Sequence, residues 1–206
     1  MRVYTLFEEV YCKNRSLHNN KLKVGTMCIQ IPSEIIYALD AVPIRLCNGF
    51  YTDDEIGSDF MPQKSCPLVR AIVGQFSSNN FNDKPDFVYS PTTCDQKTKA
   101  GAIIEAFGHE VVDVDFPRVK ESEISREYFR RSIRNFAIDL SKKSGNKLTK
   151  TNLKKSVSKV GYAQSLYHKL CEYRKKNDVV ISGNDMFLIT NAFFFDAIDS
   201  WINAVE

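Results

Sequence analysis

From Lys23 to Pro117, short apolar runs rich in β-branched residues alternate with longer segments whose apolar positions recur every three or four residues. That alternation predicts a parallel sheet crossed by helices. VGTMCIQI, ending at Pro32, reads as a strand, and SEIIYALDA as a short helix with Glu34 in its first turn. VPIRLC is the next strand, with Gly49 at its exit, and the polar stretch TDDEIGSD reads as a loop. SCPLVRAIVGQF puts Pro67 at the first position of a helix, where its missing N–H costs nothing. DFVYSP is a further strand, TTCDQKTKAGAIIEAFG a helix closed by Gly108, and HEVVDVDFP a fourth strand closed by Pro117.

Beyond Pro117 the alternation stops and helical periodicity takes over. ESEISREYFRRSIRNFAIDLSKKSG reads as one helix. TKTNLKKSVSKVGYAQSLYHKLCEYRKK follows, with Leu153, Val157, Val160, Tyr167 and Cys171 as its apolar stripe. ISGNDMFLITNAFFFDAIDSWINAVE then reads as a single helix, apolar over most of its circumference and so buried on more than one side. The expected fold is α/β: a Rossmann-like or flavodoxin-like parallel-sheet domain over residues 1–117, with a C-terminal helical annex over 118–206 packed on it.

A chain of 206 residues holds one good core, or a domain and a small annex. The formal charge of +3 is too small to argue for nucleic acid. Eleven Lys or Arg residues between Lys142 and Lys176 offer a rival electrostatic footprint, but Leu153, Val157 and Val160 take one face for packing and leave the lysines as a solvated exterior. The most apolar stretch, residues 186–205, is interrupted by Asn191, Asp196, Asp199 and Asn203, so no membrane span is expected. The opening MRVYTLFEEVYCKNRS lacks a secretory pattern, which places the chain in the cytoplasm. There the six cysteines, at 12, 28, 47, 66, 94 and 171, stay thiols or bind metal, and no CxxC pair supports a zinc ribbon or a thioredoxin-type site.

Open parallel sheets carry function at the C-terminal ends of their strands. Cys47 ends a strand, Cys66 precedes Pro67, and Cys94 follows Thr92 and Thr93, either of which can cap the next helix. A thiol at a helix N-terminus is biased toward thiolate, the form that iron–sulfur clusters require. The competing reading is a packed thiol, and Cys12, Cys28 and Cys171 are read that way.

The order of IPSEIIYALDAVPIRLCNGF, SCPLVRAIVGQF, PTTCDQKTKA, VDVDFPR and the helical LTKTNLKKSVSKVGYAQSLYHKL leading to VISGND resembles the 2-hydroxyacyl-CoA dehydratase and benzoyl-CoA reductase family of iron–sulfur proteins. The resemblance runs from about Lys23 to the end. It implies a [4Fe–4S] cluster held by cysteines, typically three per subunit, with Cys66 and Cys94 matching the first two. It implies an ATP-hydrolysing activator protein that delivers one low-potential electron. That electron turns the thioester carbonyl of a 2-hydroxyacyl-CoA into a ketyl radical able to expel the adjacent hydroxyl. Glu34, in its P-x-E motif, matches a position near the substrate and is a candidate for proton handling; the alternative is a first-turn carboxylate stabilised by the helix dipole. Family subunits continue into a second α/β domain that supplies the remaining ligand, whereas this sequence ends at Glu206. Cys47 then substitutes, or a homologous subunit or separate chain carrying that domain supplies the ligand, or the chain is a truncated, non-catalytic homologue acting as scaffold, assembly or electron-transfer module.

His18, His109 and His168 show no ligand spacing. The acidic Asp53, Asp54 and Glu55 read as a solvated turn, and neither GxGxxG nor GxxxxGK[ST] occurs, so any ATP is expected on a partner.

Overall fold

A computed structural model describes residue 7 and residues 20–46, 49–81, 83–175, 178, 180–195 and 197–206. Cys12 and Cys47 lie outside the described residues. Four strands, β1 (Lys23–Thr26), β2 (Val42–Arg45), β3 (Phe87–Pro91) and β4 (Val111–Val114), form one sheet in the order β2-β1-β3-β4, with every pairing parallel. Val24 stands between Pro43 on one side and Phe87 on the other. Pro43 is tolerated because β2 is an edge strand, where a missing N–H donor breaks only one side of a ladder.

Both faces of the sheet are covered, as parallel strands demand. The two-residue pleat sends Val24, Phe87 and Tyr89 to one face, where helices α1 (Ser33–Ala38) and, after β4, α5 (Glu123–Ser144) bury them under Ile36, Leu39, Phe136 and Leu140. Val88 points the other way, toward Ile72 and Phe76 of α3 (Pro67–Ser78) and Ile104 of α4 (Asp95–Ala106). The Tyr89 hydroxyl donates to Asp139 of α5 at 2.6 Å, a polar tie between the sheet and the first long helix. Burial, and then that bond, push the tyrosine's pKa far above its ordinary value, so it stays a donor.

Helices α6 (Lys150–Tyr173), α7 (Gly183–Phe195) and α8 (Ile198–Val205) follow. Val160, Ala163 and Leu166 of α6 pack with Leu188, Ile189 and Ala192 of α7 and Trp201 of α8, whose indole N–H donates to the Ile189 carbonyl at 2.9 Å. Helix α1 is the shared wall: Ile35 and Ile36 face the sheet, while Tyr37 packs against this second cluster. An α/β fold with a helical C-terminal region is therefore present.

Three expectations need correction. TDDEIGSD is no loop, because Tyr51–Gly57 forms helix α2. Asp53 is fully buried there and accepts from the Asn80 amide at 3.2 Å, and Asp54 takes Arg70 in a two-pronged ion pair at 2.7 Å. The stripe on α6 is also rotated from the expected one, since Val157 is half exposed and the buried line runs through Ser156, Val160, Ala163 and Leu166. The C-terminal segment is two helices rather than one, because Ala197 is extended at φ −62°, ψ 128° and starts α8 afresh. Several lysines of the basic run are paired, Lys159 with Asp199, Lys175 with Glu172 and Lys143 with Glu110.

Candidate functional site

The order β2-β1-β3-β4 has a switch point between β1 and β3, where successive connections leave for opposite faces. The chain after β1 turns into α1 on one face, and the chain after β3 turns into α4 on the other. Cys28 stands two residues past the end of β1 and Cys94 three past the end of β3, so both thiols sit at this crevice. Across it, the Thr93 hydroxyl donates to the Gln30 side-chain oxygen at 2.6 Å.

The first turn of α4 touches both other cysteine-bearing segments. Cys94 is the N-cap residue of α4, and neither threonine caps the helix as expected: Thr92 donates instead to Asp115 at 2.5 Å. Cys66 is the N-cap residue of α3, with Pro67 at the first helical position as expected. Neither cysteine makes a side-chain cap hydrogen bond. Ser, Thr, Asp or Asn is the usual choice at such a position, so both helices open without the side-chain cap that those residues supply. Gln96, two residues into α4, accepts the Cys66 backbone N–H at 2.5 Å and locks the two helix starts together. Both thiols are free and partly exposed, as are those of Cys28 and Cys171.

Cys28 was expected in the core and is not there; β1 stops at Thr26 and the chain turns before the cysteine. Burial by itself would raise its pKa, but backbone N–H of Gln30 and the nearby Lys97 ammonium outweigh that and hold the thiol below its ordinary value. Its thiolate is thus populated at a lower pH than that of an ordinary cysteine. Lys97→Met should move the pH inflection of Cys28 alkylation by iodoacetamide upward and slow the reaction at pH 7 by roughly threefold to tenfold. Peptide-resolved mass spectrometry reads this out, and an unmoved inflection would show that Lys97 plays no part.

Below the crevice, between the sheet edge and α6–α8, lies a cavity of about 420 Å³ whose wall includes Cys28, Glu34, Arg45, Tyr167, His168 and Phe194. Its size is that of a small-molecule pocket. Glu34, singled out by its motif, is on that wall, in the first turn of α1. Cys66 is elsewhere, against Met61, Val69 and Val73 on the opposite face of the sheet. Among the described residues no three of His, Cys, Asp and Glu stand close enough to hold a metal ion together. No helix among them is long and apolar enough to cross a membrane.

Fold and edge define the class first: a parallel α/β protein with unpaired thiols at its switch point and a cavity beneath. Residues 28–206 match the family model of the 2-hydroxyglutaryl-CoA dehydratase D-component, and the chain belongs to that family. It is also 22% identical over 187 residues to the "Putative dehydratase subunit YjiM" of Escherichia coli (strain K12), an alignment covering 89% of this chain and 48% of that protein. The chain spans about half the length of this curated relative. The match reaches Cys28, Glu34, Cys66 and Cys94 alike.

Proposed function

We propose that the chain is a component of a 2-hydroxyacyl-CoA dehydratase-type iron–sulfur enzyme, with Cys66 and Cys94 as two ligands of a [4Fe–4S] cluster. The observation that carries this is the pair of cysteine N-caps bridged by Gln96 within a chain of the dehydratase D-component family. Their chemistry fits: two free, partly exposed thiols at helix starts, sulfur ligands of the kind an iron–sulfur cluster takes. A third ligand comes from Cys47 or from a partner, a homologous subunit or separate chain that carries a second α/β domain. The cluster supplies single-electron chemistry, fed by an ATP-dependent activator protein.

In this reading residues 1–117 form the α/β unit, residues 118–206 the helical annex, and the assembly works in the cytoplasm. The acyl part of the thioester lies in the cavity beneath the crevice. Glu34 faces it as the group that holds or moves a proton beside the reacting carbons.

The test is turnover of a 2-hydroxyacyl-CoA by the assembled protein, with activator and ATP and without oxygen. Glu34→Gln should lower turnover by roughly 100-fold while leaving the iron content unchanged. Unchanged turnover would return Glu34 to a helix-stabilising role, and no turnover in a complete assembly would favour the scaffold module.

A further inference from the structure

A second cavity, of about 550 Å³, lies at the other end of the sheet edge. Thr26 and Arg45, the last residues of β1 and β2, line the first cavity, whereas Lys21, just before β1, and Val42, which opens β2, line this one. Its polar wall is one face of α6: Lys155, Ser156 and Lys159 follow Asn152 at three, four and seven residues, the spacing that keeps side chains on one side of a helix. Ser156 stands in the middle of that face. It is only 6% exposed, and its hydroxyl has no hydrogen-bond partner among the described residues. Buried hydroxyls are nearly always paired, because an unmet one forfeits the hydration it had in the unfolded chain. An alanine would continue the buried line to Val160, Ala163 and Leu166 without that loss.

The charges around Ser156 say what its partner is. Asp40 and Asp199 are on the wall, but each is held by a lysine, Asp40 by Lys21 at 2.8 Å and Asp199 by Lys159 at 2.7 Å. Lys155, next to Ser156 in the chain, makes no ion pair among the described residues and leaves the wall with an excess positive charge. The start of α8 lies on the same wall, where Ala197 supplies no side-chain cap, and the positive end of a helix dipole favours an anion. The Asn152 amide adds N–H donors beside the ammonium and the hydroxyl. Donors of several kinds gathered in one place suit a tetrahedral oxyanion, which has many acceptor sites to fill.

We propose that this second cavity binds a phosphate group: Ser156 and Asn152 donate to its oxygens, Lys155 balances its charge, and the start of α8 adds its dipole. The phosphate is either free inorganic phosphate or the end of a small organic phosphate whose body lies against Tyr37, Val42 and Ile198. The site does not rest on the dehydratase reading, since neither Glu34 nor a cysteine lines this cavity.

The experiment titrates inorganic phosphate and phenyl phosphate into the chain by calorimetry at fixed ionic strength. One phosphate should bind per chain, and Ser156→Ala and Lys155→Gln should each weaken it roughly tenfold. Lys154→Gln removes the same charge from an exposed position off this wall and should leave binding unchanged. Phenyl phosphate binding roughly tenfold or more tightly than phosphate marks an organic phosphate, and equal or weaker binding marks the free ion. Binding of neither compound, binding that survives both Ser156→Ala and Lys155→Gln, or an equal loss in Lys154→Gln overturns the proposal. Ser156→Ala should keep its urea midpoint, as alanine suits a helix; were the midpoint to fall, the comparison of Lys155→Gln with Lys154→Gln, both at exposed side chains, decides the matter.

Discussion

Gly74→Ala will destabilise the protein by roughly 3 kcal/mol or more, although alanine is the better helix former. Gly74 lies in the middle of α3, where propensity alone promises a gain of about 1 kcal/mol from the exchange. The structure reverses that sign. A Cβ at Gly74 would lie 1.8 Å from the Asp53 carbonyl oxygen and 2.8 Å from the Gly57 nitrogen, and a Cβ at Gly57 would lie 2.0 Å from the Arg70 carbonyl oxygen. These contacts are backbone against backbone, so no rotamer change relieves them and α2 must move away from α3 as a body. That displacement strains the Asp54–Arg70 ion pair and the Asn80 bond to buried Asp53, and loosens the frame from which α3 presents Cys66. Urea midpoints of the two proteins check this; a variant as stable as the original would refute the close crossing.

Cys66→Ser and Cys94→Ser will each abolish cluster binding without loss of fold. Most ligand substitutions confound the two, but here the positions help: both cysteines are N-cap residues lacking a cap hydrogen bond, and serine is among the best residues for that role. Each substitution should leave stability unchanged or raise it by up to about 1 kcal/mol. Loss of iron then reports the missing sulfur rather than a damaged helix. Cys171→Ser, on α6, should retain iron and serves as control. A cluster that persists in either N-cap variant would remove that cysteine from the ligand set.

Much of this architecture was legible in the sequence because it rests on local signals. Pro67 starts α3, and Gly108 and Gly145, at φ 88° and 70°, end α4 and α5 in the left-handed conformation that side chains disfavour. The alternation of short β-branched runs with helical periods gave the parallel sheet, and its order places Cys94 at the functional edge. What escaped depends on tertiary contact. Helix α2 hid in a polar stretch because its acids are satisfied by Arg70 and Asn80, sixteen and twenty-seven residues away. Cys28 looked like part of a strand that the turn at Met27 cuts short. Two of the proposed ligands were legible for the same local reason, their position just before a helix, whereas the bridge through Gln96 was not.

The central claim is that Cys66 and Cys94 hold an iron–sulfur cluster. Iron and acid-labile sulfide, measured with the visible spectrum on protein prepared without oxygen and reconstituted alone and with a chain carrying the second α/β domain, test it most directly. The account predicts iron and sulfide in equal amounts, about four of each per cluster, with the broad charge-transfer absorption of thiolate-bound iron. Well-folded protein that stays free of iron in both preparations would contradict it.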